Sequence, residues 1–302
     1  MWLSGGQRDA MLAIPLPKIE HERAGFEALV RLNAGAEECF LDDIDVDMGK
    51  TSWFDADMCA AFGAILYRLG AARFNAVRVQ NIPAQVEKVL SRNGFLSAYG
   101  REKIPDRWGT TIPYQRFDTK DDRYFGSYIE SEFVRRSEMP QMSSGLRKKF
   151  HESVFEIFSN AVIHSQTKLG IFACGQYYPK KNRLDFSVAD LGVGIQQKVQ
   201  EALGTEITPE MAIIWATQGR NTTKRGPIPG GLGLKLLTEF IQLNGGRIQI
   251  VSDAGYWTRG KGGARTARLS SPFPGTVVTL EVDTSDTQSY ALASEVSAAD
   301  IF

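Results

Sequence analysis

Residues 186–199, FSVADLGVGIQQKV, decide how the second half of the chain is expected to fold. Alternating, partly apolar residues predict a strand that runs into Asp190, and a Gly-x-Gly turn then leads into a predicted helix. Gly192 and Gly194 are expected to leave room for a ligand beside the backbone and to permit φ > 0 in the turn. The turn does not match the dinucleotide-binding fingerprint, which needs a third glycine where Gln197 stands and an acidic residue about 20 positions later.

A long helix is predicted upstream, in residues 143–165, with Ser143 or Ser144 as its N-cap. Glu156 and Asn160 lie four residues apart and therefore project from one face of this helix. Alone, such a pair is typical of an ordinary solvated surface, so its meaning depends on the segments that follow. The apolar stripe of the helix consists of Leu146, Phe150, Val154, Phe158 and Ala161.

The elements around these two motifs follow a definite order. Residues 169–178 predict a strand, and a second glycine cluster, GGLG at residues 230–233, opens a helix predicted at residues 234–244. Two closing strands are predicted at residues 246–252 and 275–282. The order is therefore a helix with Glu and Asn, a strand, Asp-x-Gly-x-Gly, a glycine-rich segment, a helix and two strands.

This order resembles the GHKL ATPase superfamily of gyrase-type topoisomerases, a heat-shock chaperone, MutL-type mismatch-repair proteins and histidine kinases. The resemblance covers residues 140–283 and rests on three motifs in the right order, although each glycine motif alone is weak. It implies an α/β (α+β) fold, a Bergerat-type sandwich with a mixed sheet. It also implies that ATP and Mg²⁺ are the cofactors.

The resemblance implies a role for each matching residue. Asp190 would accept a hydrogen bond from the adenine amine, which guanine does not offer there, and Thr276 would support that contact, with water. Asn160 would offer an amide oxygen to Mg²⁺, and Glu156 would orient or deprotonate the attacking water. The backbone at a helix N-terminus would bind phosphate through Gly231, Leu232 and Gly233.

Basic residues in the predicted lid between the motifs are candidates to contact the γ-phosphate. Lys224 is one such residue, and Arg220 and Arg225 are equivalent alternatives. A solvated basic loop is an equally good interpretation of each of them. Lys235, directly after the second glycine cluster, is ambiguous in the same way.

The first hundred residues alternate predicted strands and helices, which indicates a small α/β domain. They resemble STAS domains. Where STAS antagonists carry a phosphorylatable serine after the aspartate, this chain has Ala56 after Asp55, so partner binding or self-association is the expected role. The predicted domains are residues 1–100 (STAS-like), 101–139 (connector), 140–287 (ATPase-like) and 288–302 (tail).

The boundaries of the predicted elements in the first half follow from the spacing of apolar residues and from the positions of glycine and proline. The helix at residues 55–70 is expected to end at Gly70. The polar connector contains two short predicted strands, at residues 111–117 and 124–134. The other predicted strands are residues 11–17, 39–48 and 74–81, and the other predicted helices are residues 20–33 and 83–94.

These resemblances favour an ATP-dependent conformational switch that regulates a partner protein, with slow Mg²⁺-dependent ATP hydrolysis. An anti-sigma-type serine protein kinase, or a sensor that binds ATP or ADP without turnover, are the alternatives. A histidine kinase is disfavoured, because a phosphoacceptor histidine typically precedes an acidic residue and then a proline. His21 and His151 lack that proline, and the third histidine, His164, lies in the helix of Glu156.

Composition limits the remaining classes. The 302 residues carry 35 basic and 35 acidic side chains, so no global charge favours nucleic acid or a membrane surface. No segment approaches the roughly 18 apolar residues of a membrane-spanning helix. The N-terminus lacks the basic start and apolar core of a signal peptide, and three dispersed cysteines indicate reduced thiols, so a cytoplasmic location is expected.

Overall fold

The computed structural model describes residues 12–218 and 232–295 of the chain. None of the helices in this part is long and apolar enough to cross a membrane. The strands are β1 (Leu12–Pro15), β2 (Asp43–Asp47), β3 (Ala76–Gln80), β4 (Thr111–Phe117), β5 (Gln141–Met142), β6 (Ile171–Tyr178), β7 (Arg183–Asp190), β8 (Arg247–Gly260), β9 (Gly263–Asp283) and β10 (Ser289–Tyr290). The helices are α1 (Arg23–Gly35), α2 (Cys59–Tyr67), α3 (Ala84–Arg92), α4 (Asp122–Ile129), α5 (Ser144–His164), α6 (Ile195–Leu203), α7 (Pro209–Thr217) and α8 (Leu232–Asn244).

A five-stranded antiparallel sheet in the order β4-β6-β7-β9-β8 forms the centre of the molecule. Successive side chains of a strand point to opposite faces, so each strand serves two layers at once. On β7, Phe186 and Val188 pack into the hydrophobic cluster on one face, while Ala189 packs into the cluster on the other. The predicted strand that ends at Asp190 is confirmed.

Helices α4, α5 and α8 cover the first face of this sheet. α5 begins as predicted, because the Ser143 hydroxyl accepts a hydrogen bond from the N–H of Leu146 at 3.1 Å. Phe150 and Phe158 of its apolar stripe are buried. Burial of such a stripe, more than helix propensity, keeps a helix of this kind in place.

The N-terminal layer, residues 12–99, covers the second face of the sheet. Its three strands form a parallel sheet in the order β1-β2-β3, while α1 packs against β9, and α2 against β6 and β7. Every residue of α2 from Cys59 to Leu66 is buried, and the layer shares one hydrophobic cluster with Phe172 and Ala189 of the central sheet. The predicted α/β class is confirmed, with parallel and antiparallel sheets in one chain.

Residues 124–134 are helical, so the prediction of a strand there is wrong. α4 covers most of this stretch, and a five-residue π-helical turn, Glu130–Val134, continues it. Phe125, Ile129 and Phe133 recur every four residues and are all buried. That helical period decides the structure of this segment. The neighbouring strand predicted at residues 111–117 is confirmed as β4.

The helix predicted to end at Gly70 continues past that glycine. After α2 the chain winds through a π-helical turn, Arg68–Ala72, that contains Gly70. Leu69 in this turn is fully buried, and its packing explains why the chain stays helical there. The C-cap prediction at Gly70 is therefore wrong, because tertiary packing overrides the local preference of glycine.

After β9 the chain returns to the start of α5. β10 pairs with β5 in parallel, and the carboxylate of Glu295 accepts hydrogen bonds from the Ser143 hydroxyl and the Gly145 N–H. The described part of the predicted tail thus contacts the N-terminus of the helix that carries Glu156 and Asn160.

Candidate functional site

A pocket of about 1030 Å³, part of it open to solvent, lies between α5, α6, α7, α8 and the central sheet. Residues from distant parts of the chain meet in it, and they include members of the Glu–Asn pair and of the Asp-x-Gly-x-Gly turn. We refer to it as the candidate pocket. The predicted site residues that line it are Glu156, Asn160, Asp190, Gly194 and Thr276.

Asp190 lies at the end of β7, where only 5 % of the residue is exposed. The N–H of Gly192 donates a hydrogen bond to its Oδ1 at 2.9 Å, and Thr276 stands directly opposite it on β9. Burial raises the pKa of Asp190 to about 7, which outweighs the hydrogen bonds that its carboxylate accepts from Gly192 and Thr276. The negative charge of Asp253 raises it further. A buried carboxyl that titrates near neutrality is typical of a functional site.

Ser252 on β8 forms hydrogen bonds with neighbouring segments beside the candidate pocket. Its hydroxyl accepts a hydrogen bond at 2.8 Å from the N–H of Ile195, the first residue of α6, and lies 3.0 Å from the hydroxyl of Thr276. It also donates to the carbonyl of Gly275 at 3.2 Å. The sequence gives no sign of this role until β8 and β9 are known to be neighbours, because Ser252 pairs with Thr276 only across that ladder.

The turn after Asp190 requires glycine because there is no room for a Cβ atom, and not because the backbone adopts a positive φ. Neither Gly192 nor Gly194 has a positive φ, so the expectation of φ > 0 is wrong. A Cβ on Gly192 would lie 2.0 Å from the carbonyl oxygen of Ser165, and a Cβ on Gly194 would lie 2.1 Å from Oδ2 of Asp253. The backbone therefore approaches two neighbouring segments more closely than a larger residue allows.

Glu156 and Asn160 line the candidate pocket together from α5, as their four-residue spacing predicts. The N–H of Gly233, in the first turn of α8, donates a hydrogen bond to Oε2 of Glu156 at 2.9 Å. A Cβ on Gly233 would lie 2.3 Å from that oxygen, so the contact depends on glycine. A carboxylate thus occupies the helix N-terminus at which the sequence predicts phosphate.

No motif in the sequence marks two further residues of the candidate pocket, Lys198 and Trp215. Lys198 is largely buried, and its ammonium lies 2.9 Å from the carboxylate of Glu201. Lys198 lies three residues after Ile195, so both side chains are on the same face of α6, and this spacing could have identified Lys198 as a pocket residue. Trp215 belongs to α7, a segment for which the pattern predicts no element.

The predicted phosphate ligands before α8 lie outside the described residues. They are Lys224 and Gly231, together with the alternatives Arg220 and Arg225. Leu232 is the first residue of α8, so its backbone belongs to the helix N-terminus that the sequence predicts to bind phosphate. Gly192 belongs to the turn beside the pocket, where its N–H contacts Asp190.

The chemistry of the candidate pocket is an apolar slot with a few polar groups at fixed places. Asp190 supplies a buried acceptor, and Asn160, Glu156 and Lys198 supply polar and charged groups along the helices. A planar apolar ring with a hydrogen-bond donor on its edge fits such a slot. The apolar residues of the slot include Ile157, Ala161, Val188, Val193, Ile250 and Val278.

Comparison with known proteins does not place this chain in a family, since no protein-family model matches it and no curated protein matches it significantly. The chemistry of the candidate pocket therefore carries the functional argument. Asp190 limits the choice of ligand most, because its carboxyl group is buried and accepts hydrogen bonds when it is ionised.

Proposed function

We propose that the chain binds ATP or ADP with Mg²⁺ in the candidate pocket and acts as a nucleotide-controlled conformational switch for a partner protein. The observation that supports this most is the buried Asp190 carboxyl beside an apolar slot, opposite Thr276. The N-terminal layer, which packs on the same sheet, would bind the partner. Hydrolysis of ATP to ADP and phosphate would reset the switch.

The hydrogen-bonding capacity of Asp190 favours adenine over guanine. An ionised carboxylate only accepts hydrogen bonds, and the exocyclic amine of adenine donates one. Guanine presents a carbonyl oxygen at that position, so two acceptors would face each other at a carboxylate that is almost fully buried. A site built to pair with a donor rejects a base that lacks it, because its own buried group is left unpaired.

Base recognition is expected to depend on pH through Asp190. Adenosine should bind roughly tenfold more tightly at pH 8 than at pH 6, because a carboxyl with a pKa of about 7 is mostly ionised only at the higher pH. Binding favours the ionised form, so affinity falls as the pH drops through 7. Calorimetric titration of the full chain at the two pH values measures this, and adenosine is chosen because it has no phosphate that titrates.

Guanosine is the matched control in that experiment. Asp253 is the charged group that raises the pKa of Asp190, and its own pKa is raised by burial. Glu156 and Lys198 are the other charged residues that line the candidate pocket. The pH series is therefore repeated with Asp253→Asn, which should retain the dependence. An adenosine affinity that is independent of pH, or no stronger than that of guanosine, would contradict recognition of adenine by Asp190.

The phosphates are expected to lie along α5 and the start of α8. Asn160 offers Mg²⁺ a neutral amide oxygen, which is a hard ligand of the kind this ion takes. The N-terminus of α8 attracts anions, and the Glu156 carboxylate already accepts its Gly233 N–H. A phosphate that reaches this N–H must displace the carboxylate, because both need the same donor.

This competition gives the proposed switch a physical basis. When phosphate takes the Gly233 N–H, Glu156 is released and can orient a water for attack. When the phosphate leaves, Glu156 can cap α8 again. The start of α8 therefore has two arrangements that differ by which anion holds it, and a ligand that prefers one of them shifts the population.

A sensor that binds ATP or ADP without turnover is the second candidate, and the same hydrogen bond favours it. If Glu156 serves only to cap α8, the candidate pocket binds nucleotide but lacks this base for hydrolysis. An anti-sigma-type serine kinase rests on the sequence resemblance alone. The two leading candidates differ in what Glu156 does, so a substitution there separates them.

Glu156→Gln is expected to slow phosphate release from Mg²⁺-ATP by about 100-fold or more, while ATP affinity changes by less than about threefold. The amide cannot take a proton, but its oxygen can still accept the Gly233 N–H. Phosphate release and calorimetry on the full chain measure the two effects. Glu152→Gln is the control, because Glu152 is an exposed residue of the same helix that pairs with Lys149. Wild-type protein that binds ATP but releases no phosphate would establish the sensor instead.

A further inference from the structure

A fully buried cluster of His21, Asp57 and Asp185 lies outside the candidate pocket, where the N-terminal layer meets the central sheet. His21 precedes α1, Asp57 lies in the 3₁₀ turn before α2, and Asp185 is on β7. All three residues are 0 % exposed. Nδ1 of His21 lies 2.6 Å from Oδ2 of Asp57 and 3.7 Å from Oδ2 of Asp185, and one potential ligand atom of each residue lies within 4.8 Å of the others.

Several polar atoms in this cluster lack the partners that buried groups normally have. Among the described residues, no hydrogen bond reaches Nε2 of His21, Oδ1 of Asp57 or either carboxylate oxygen of Asp185. Nε of Arg183 lies 2.8 Å from Oδ2 of Asp185, but the two atoms do not form a well-aligned hydrogen bond. Buried polar atoms without partners are rare in native proteins and require an explanation, such as a bound ion.

Three carboxyl groups around the cluster lie within ion-pair distance of a single guanidinium group. Asp55, Asp185 and Glu281 all approach the guanidinium group of Arg183, whereas Asp57 forms an ion pair with His21. Buried charges are retained only when they are paired or bound to a metal.

We propose that His21, Asp57 and Asp185 bind one divalent transition-metal ion with the coordination chemistry of Zn²⁺. An imidazole nitrogen together with carboxylate oxygens suits Zn²⁺ and its neighbours in the series, whereas Mg²⁺ and Ca²⁺ favour oxygen ligands alone. The ion takes the place of the proton between Nδ1 of His21 and the Asp57 carboxylate, so that proton is released when the metal binds. This site is independent of the proposed nucleotide function.

The surrounding groups fit this assignment. Glu281 lies 3.8 Å from Nε2 of His21, on the side from which a carboxylate commonly orients a metal-bound imidazole. The Ser187 hydroxyl donates a hydrogen bond to Oδ2 of Asp57 at 3.2 Å. Because two ligands come from the N-terminal layer and Asp185 comes from the central sheet, the ion joins the two by direct bonds.

Metal content and thermal stability of the full chain test the proposal. Protein purified through a tag without histidine should carry about one equivalent of zinc per chain. Chelation should lower its Tm, and added Zn²⁺ or Co²⁺ should restore it. X-ray absorption of the wild-type zinc protein should show nitrogen and oxygen ligands only. Sulfur in the first coordination sphere would overturn the assignment, since the thiol of Cys174 lies 3.1 Å from the carbonyl oxygen of Asp57.

Two substitutions locate the ion. Asp185→Asn and His21→Gln should each reduce bound metal to about one-tenth of an equivalent or less. His151→Gln should retain it, because His151 lies on α5 and contacts the Gly126 carbonyl instead. If the two variants do not fold, the ligand set from X-ray absorption of the wild type decides the question. Wild-type protein that neither carries nor takes up zinc or cobalt would show that the cluster is a metal-free ion network and overturn the proposal.

Discussion

Asp190→Ala is expected to weaken the binding of ADP by roughly 10- to 150-fold, because it removes a charged hydrogen-bond acceptor worth about 1.5–3 kcal/mol. Asp190 is a buried acceptor in the candidate pocket, at the place where we propose that the base binds. Calorimetric titration of the full chain at pH 8 measures the loss. ADP is the preferred ligand, since it is not consumed during the titration.

The variant is expected to stay folded, because ionised Asp190 does not stabilise the native state. Its pKa is raised from 3.8 to about 7 in the folded chain, so its contribution to stability is complete below about pH 4 and declines as the pH rises towards 7. A thermal melt at pH 8 therefore distinguishes lost binding from lost folding. If folded Asp190→Ala binds ADP within twofold of wild type, the proposed base contact is wrong.

Asp253→Asn is the matched control for Asp190→Ala. Asp253 accepts a hydrogen bond from the N–H of Gln196 at 3.2 Å, and its φ of 52° is one that asparagine also tolerates. Its charge raises the pKa of Asp190, but the residue does not belong to the lining of the candidate pocket. ADP affinity at pH 8 should therefore change by less than about threefold.

Gly192→Ala is expected to lower the Tm by roughly 5–10 °C and to weaken ADP binding as well. The new Cβ would lie 2.0 Å from the carbonyl oxygen of Ser165 and 2.3 Å from its Cβ, and the same carbonyl accepts the N–H of Val193 at 2.7 Å. The turn must move to relieve this overlap. Movement also breaks the contact between the Gly192 N–H and Asp190, so folding and binding suffer together.

Gly126→Ala is the control for this substitution. Gly126 lies within α4, and a Cβ there would meet Phe155 at 3.7 Å, an ordinary packing distance. Alanine also favours helix more than glycine does, so the Tm should stay constant or rise by a few degrees. Thermal melts and ADP titrations of both variants provide the comparison. Equal behaviour of the two variants would contradict the role given to close backbone approach at Gly192.

Local patterns in the sequence predict which residues line the candidate pocket better than they predict how those residues work. The strand period places Asp190 at the end of β7, and the four-residue spacing places Glu156 and Asn160 on one side of α5. The need for glycine at position 192 could not be predicted, because it depends on a close approach to a carbonyl group 27 positions away in the chain. The capping of Gly233 by Glu156 joins two motifs that the sequence treats as separate parts of the site.

Long-range contacts explain the other differences. Ser252 acquires its role only because β8 lies beside β9, and strand order across a sheet is not a local property of the chain. His21, Asp57 and Asp185 are separated by 36 or more positions and carry no recognisable spacing. Helix α4 could have been predicted from the sequence, because Phe125, Ile129 and Phe133 recur with a helical period.

Strand β7 carries the candidate pocket on one side and the N-terminal layer on the other. Val188 and Asp190 line the pocket, while the Ser187 hydroxyl reaches across the opposite side to Asp57. If nucleotide changes the affinity of the N-terminal layer for a partner, thermodynamic reciprocity requires the partner to change nucleotide affinity by the same factor. A partner that binds this layer can therefore be identified by the change that it causes in the affinity for ADP, without knowledge of what the partner does.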